Sequence, residues 1–92
     1  MFNFTEVAFI SKPNTYCSKG SHLEKYSTLE LAEDGCRVNV DCKTITDIEC
    51  DGDRFWTCSD SDLRESSKGS CSWMKYSGIW RVFGLKWYPV IR

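Results

Sequence analysis

Six cysteines carry most of the chemistry open to this sequence: Cys17, Cys36, Cys42, Cys50, Cys58 and Cys71. A cysteine works as a nucleophile, a metal ligand or half of a disulfide, and each use has its own spacing. Structural zinc sites draw ligands in close pairs from tight turns, and the chain has no Cys-x-x-Cys. Its single histidine, His22, has no second histidine at finger spacing. A nucleophilic thiolate needs an unpaired cysteine, whereas six is an even number. The pattern predicts three disulfides, with no metal and no cofactor.

Other polar groups offer less. His22 lies in Gly-Ser-His-Leu, a loop setting in which a lone histidine reads as structural. No Gly-x-Ser-x-Gly nucleophile motif accompanies it, so no catalytic residue is assigned and the chain does not read as an enzyme. Asp47-Ile48-Glu49-Cys50-Asp51-Gly52 is similar to the opening of a calcium loop, but the twelfth position is Cys58 where a bidentate Glu belongs. The segment reads as a solvated hairpin tip. Asn3-Phe4-Thr5 is an N-glycosylation acceptor pattern at Asn3. Tyr16, Trp56, Trp73 and Tyr76 form a candidate ligand face, because flat amphipathic rings suit sugars and proteins alike. In so small a domain, most of them are expected in the core.

The chain has 92 residues, enough for one domain. Chains of this size bury only about 60–65% of their unfolded surface, so disulfides compensate for a thin core, as in small secreted domains. Thirteen acidic and twelve basic residues give a net charge of −1, which argues against a nucleic-acid binder. No apolar run reaches the 18 residues of a membrane-spanning helix. Met1 to Ile10 is apolar but has no Lys or Arg, and Glu6 interrupts it. That is not a signal peptide. The expectation is a piece of a longer secreted protein, or a chain whose true start lies upstream.

The elements that must position these groups fall into three regions: a leading segment 1–16, a cysteine-bearing region 17–76 and a tail 77–92. Ser27-Thr28-Leu29-Glu30 fits a capping box with Ser27 as N-cap, and Tyr26 and Leu31 are placed for a hydrophobic staple. The helix is predicted over residues 28–36, with Leu29, Ala32 and Cys36 on one face, Leu31 widening it and Gly35 marking its end. Residues 42–48 are β-branched and strand-like, Asp51-Gly52 is a hairpin turn, and 54–58 return as a second strand. A polar loop follows, then a closing strand over 71–76. Arg81, Lys86 and Arg92 give the aromatic tail +3, leaving −4 on residues 1–75. The tail reads as a last strand or strand pair, as a segment touching a partner or a membrane interface, or as sequence beyond the domain. By spacing, Cys36 joins Cys42, Cys50 joins Cys58 across the hairpin, and Cys17 joins Cys71 as a clasp.

The order is a first cysteine, a capped helix ending at Gly-Cys36, then Val-Asp-Cys42-Lys-Thr-Ile, Glu-Cys50-Asp-Gly and Trp-Thr-Cys58, closing at Gly-Ser-Cys71-Ser-Trp. It resembles the PAN/apple modules of extracellular proteins over roughly residues 16–75. PAN modules often carry a further cysteine one turn earlier on the helix, where this chain has Ala32. The resemblance implies an α+β fold, one helix packed on a small antiparallel sheet, and extracellular recognition of a protein or glycan. The alternative is a stand-alone secreted effector such as a toxin or protease inhibitor.

Overall fold

The computed structural model describes the backbone of residues 3–83 and 86–90 and the side chains of residues 7–76. Its elements are β1 (Asn3–Pro13), β2 (Thr15–Tyr16), β3 (His22–Tyr26), α1 (Leu29–Val38), β4 (Thr44–Asp47), β5 (Phe55–Cys58), β6 (Arg64–Glu65), β7 (Cys71–Phe83) and β8 (Lys86–Val90). Strands β1-β7-β4-β5-β3 form an antiparallel sheet in that order, with β8 also paired to β7. β2 and β6 make a separate two-stranded ribbon. The fold is α+β, one helix on a small antiparallel sheet with three disulfides.

Side chains alternate across a strand, and residues paired in antiparallel register share a face. The face under α1 therefore carries Ile45 opposite Trp73, and Tyr26 opposite Phe55. Ala32, Cys36, Cys42, Ile45 and Phe55 form the core there, with Phe9, Tyr26, Leu29 and Trp73 packed around it. Leu29, Ala32 and Cys36 do face inward together, as their spacing predicts. Leu31 does not widen that face; it is 51% exposed.

The helix starts one residue later than the capping box implies. Thr28 is the N-cap, and its hydroxyl accepts from the Leu31 amide at 3.2 Å. Tyr26 is pinned at the end of β3 opposite Phe55, so Ser27 is needed to leave the strand. Glu30 consequently stands at N2, where the reciprocal bond of a capping box is not made. Nor does Gly35 end the helix. A Cβ at that position would lie 2.7 Å from Tyr26 Cζ, so glycine admits the tyrosine ring against the helix. The last turn is closed by Lys75, whose ammonium donates to the carbonyls of Cys36 (2.5 Å) and Asn39 (3.1 Å). A cation there satisfies orphan carbonyls and complements the helix dipole.

All six cysteines are bonded, and only Cys36–Cys42 follows the spacing argument. Cys17 joins Cys58 instead of Cys71, and Cys50 joins Cys71 instead of Cys58. The reason is register. Cys58 lies opposite Thr44, at the end of the hairpin away from its tip, while Cys50 sits beside the tip. Two cysteines around a turn meet only when they are equally far from it, and these are not. Cys71 lies opposite Asp47, at the tip end, and so reaches Cys50 with a Cα separation of 5.2 Å.

The leading segment and the tail are strand at the backbone level. Asn3 lies opposite Arg81, and the ladder runs on to Pro13 opposite Cys71. The side chains of Asn3 and of residues 77–92, and with them the glycosylation, partner and membrane-interface expectations, lie outside the described residues.

Gly35→Ala is expected to destabilise the protein by about 1–3 kcal/mol through overpacking, although alanine is the better helix former by about 1 kcal/mol. In a Tyr26→Ala background the same substitution should be neutral or stabilising. Denaturant midpoints of the four proteins test this, and an equal cost in both backgrounds would contradict it.

Candidate functional site

The face of the sheet opposite the helix is built from hydroxyls. Thr44, Thr46 and Ser72 are fully buried there. Thr44 donates to the Asp60 carbonyl at 2.9 Å, and Ser72 donates to the Thr15 carbonyl at 2.7 Å. Ser72 has one proton, so the 2.7 Å contact between the two hydroxyls is a bond donated by Thr46. These bonds hold the segments before β3 and after β5 over the sheet. Buried polar groups are tolerated when each has a partner.

A cleft of about 290 Å³ opens beside this layer, lined by residues that include Tyr16, Lys19, His22, Glu65, Lys68 and Ser70. One wall is the β2–β6 ribbon, in which Thr15 faces Glu65 and Tyr16 faces Arg64. Asn14 turns the chain into the ribbon with a φ of 58°, and its carbonyl accepts from the Ser66 amide. The loop after β6 is tied down by its serines. Ser66 Oγ accepts from the Lys68 and Ser70 amides, and Ser70 Oγ donates to the Ile48 carbonyl at 2.5 Å.

His22 forms the inner wall. It lies opposite Cys58 on the neighbouring strand, and its ring stacks on Trp56 with centroids 4.6 Å apart and planes 20° apart. Lys25 stands 5.9 Å from the same indole. Among the described residues, His22 Nε2 is the buried side-chain polar atom that lacks a hydrogen-bond partner. Burial lowers the His22 pKa below its ordinary value, and the charge on Lys19 pushes it the same way. The sulfurs of Cys17 and Cys58 lie beside the ring, within 4.8 Å of its ligand atom.

The four aromatics proposed as a ligand face are not brought together. Tyr16 lines this cleft, and Trp56 stands behind His22. Trp73 is on the helix side, tilted against Phe55 at 5.8 Å between centroids. Tyr76 lines a separate groove with Val7 and Val40 near the end of α1. Lys19, Glu65 and Lys68 were not legible as site residues, because nothing in a polar loop's composition says which chain it will face.

The acidic hairpin tip forms a second, smaller cleft of about 130 Å³. Its central carboxylate is already engaged: Asp47 Oδ1 accepts from the Cys50 amide at 2.9 Å and Oδ2 from the Gly52 amide at 2.8 Å. Asp51 accepts from the Asp53 amide. These carboxylates brace a loop in which Cys50 and Gly52 both adopt positive φ.

No family model, no curated protein and no solved structure matches this chain. Three disulfides in so small a domain are typical of extracellular proteins. Among the described residues no helix is long and apolar enough to cross a membrane.

His22 is the chain's only histidine, so its imidazole protons report its titration without ambiguity. Proton NMR should give a midpoint below the 6.5 of an unperturbed histidine. The unfolded chain then takes up this proton before the native one does. Native stability is therefore fully present above the unfolded value and is lost as pH falls from there toward the lowered value. A midpoint at or above 6.5 would mean that the ring is not desolvated as described.

Proposed function

We propose that this chain is a secreted, non-catalytic recognition module that binds an extracellular protein or glycan through the cleft at His22. The observation that carries the reading is the lining of that cleft, an aromatic ring together with cations, a carboxylate and hydroxyls from Tyr16, Lys19, Lys68, Glu65 and Ser70. Such a mixture suits a polar ligand with an apolar face, as sugars and peptide side chains have. The walls are fixed by bonds between serine hydroxyls and the backbone before any ligand arrives, which lowers the ordering cost of binding. With all six cysteines bonded there is no free thiolate for covalent chemistry. The resemblance to PAN/apple modules in the spacing of the cysteines supports the same class of activity.

A second reading, a secreted effector such as a protease inhibitor, draws on the tip loop between β4 and β5. It is exposed, clamped by Asp47 and tied by Cys50–Cys71, as an inhibitory loop would be.

A glycan array combined with capture from extracellular extract tests the first reading. Tyr16→Ala and Lys68→Ala should each weaken whatever is bound by about tenfold, or ~1.4 kcal/mol. Lys43→Ala, remote from the cleft, should not. Binding indifferent to the cleft variants would overturn the assignment, and inhibition of a serine protease panel lost on altering Arg54 would favour the second reading.

A further inference from the structure

We propose that the outer edge of β1 is an interface for a second copy of this chain, paired antiparallel about a two-fold axis at Phe9. The sheet ends in β3 on one side and in β1 on the other. Strand edges carry unpaired amides and carbonyls, and proteins blunt them with short strands, bulges and charges. β3 is blunted in each of these ways. It is five residues long, its register shifts between His22 and Lys25, and it carries Glu24 and Lys25. β1 is not. It runs eleven residues in unbroken register with β7, and its middle is the uncharged run Val7-Ala8-Phe9-Ile10. Pro13, which has no amide to donate, comes only at its end. β8 shares Ile79–Arg81 of β7 with β1 and so lies across β7 from it. Among the described residues no strand lies on the outer side of β1.

The strand is complementary to itself, as a two-fold interface requires. Outward amides and carbonyls occur on alternate residues, so odd-numbered residues meet odd and even meet even across the axis. Each face of the sheet then continues into the same face of the second copy. Setting Phe9 opposite itself places Ala8 opposite Ile10, Val7 opposite Ser11 and Glu6 opposite Lys12, each pair occurring twice. Ile10 is 42% exposed in the single chain, on the face away from the helix, and Ala8 of the second copy covers it. Phe9 faces the helix side, so the two rings stand side by side at the axis, an arrangement that stabilises strand pairs. Opposite charges directly across two strands attract. An axis at Ala8 would set Glu6 against Ile10, and one at Ile10 would set Lys12 against Ala8. Phe9 is the centre that matches both charges. Both helices then lie on one side of a continuous sheet, and both hydroxyl layers, with the clefts beside them, on the other.

The test uses the whole oxidised chain in analytical ultracentrifugation. A concentration-dependent dimer is expected, and every second amide within residues 7–12 should gain protection from hydrogen exchange as it forms. Lys12→Glu should weaken the dimer about tenfold, because it sets like charges opposite each other at two symmetric positions. Glu6→Lys should do the same, and the two substitutions together should restore the dimer. Ile10→Lys places a charge in the apolar middle of the edge and should leave a folded monomer with cooperative unfolding, since Ile10 is already partly exposed. The proposal is overturned if the chain stays monomeric up to about 1 mM, the weak end of measurable affinity. It is equally overturned if a dimer forms without protecting β1, if the single charge reversals leave its affinity unchanged, or if the double reversal fails to restore it.

Discussion

Thr44, Ile45, Thr46 and Asp47 are all buried, and each is held by a different kind of partner. Ile45 packs under the helix. Thr44 and Thr46 point to the other face, where Thr44 bonds the Asp60 carbonyl of a covering loop and Thr46 bonds the Ser72 hydroxyl on β7. Asp47 closes the hairpin tip by accepting two amides. This strand is flanked by β5 on one side and β7 on the other, so its register fixes both neighbours at once. A slip of one residue would send Ile45 to the hydroxyl layer and a threonine into the core, reversing every contact. The two-layered arrangement, apolar toward the helix and polar toward the cleft, is a consequence of that single alternation.

The disulfides follow from the same register. Cys58 opposite Thr44 is carried to the end of the sheet where Cys17 enters, and Cys71 opposite Asp47 is carried to the end where Cys50 lies. One bridge thus ties the hydroxyl-face segments to the sheet, another ties the tip loop, and Cys36–Cys42 ties the helix to the start of β4. In the chain-entropy picture, loops of 41, 21 and 6 residues contribute about 4, 3 and 2 kcal/mol. Those amounts are comparable with the whole stability of a small domain, and they supplement the helix-side core of five buried residues found among the described side chains.

Much of the helix-side half was legible from residue types. Leu29, Ala32 and Cys36 at helical spacing, the β-branched run before Asp51-Gly52, and Phe55 after it all took their expected places. The cap was misplaced by one residue because Ser27 and Thr28 are equally good caps. What decides between them is where Tyr26 leaves the sheet, a tertiary fact. The pairing of Cys50 failed for a similar reason, since proximity to a turn says nothing of register. Strands β1 and β3 carry no clean alternation; β3 is largely exposed and contains a register shift. The hydroxyl layer was hidden in plain sight: Thr44 and Thr46 were read for their β-branching, while their oxygens organise the cleft. In the sequence His22 reads as a loop residue, because its setting arises only when Cys17, Trp56 and Cys58 converge on it.

The central claim is that the β5–β4–β7 register dictates the covalent framework, and with it the cleft. Proteolysis of the unreduced protein followed by mass spectrometry of the linked peptides reads that framework directly. Cleavage must separate Cys36 from Cys42 and Cys50 from Cys58 for the assignment to be unique. The account predicts Cys17–Cys58, Cys36–Cys42 and Cys50–Cys71 and no other linkage. A Cys17–Cys71 bridge together with Cys50–Cys58 would contradict it, because those pairs cannot form while Thr44 lies opposite Cys58 and Asp47 opposite Cys71.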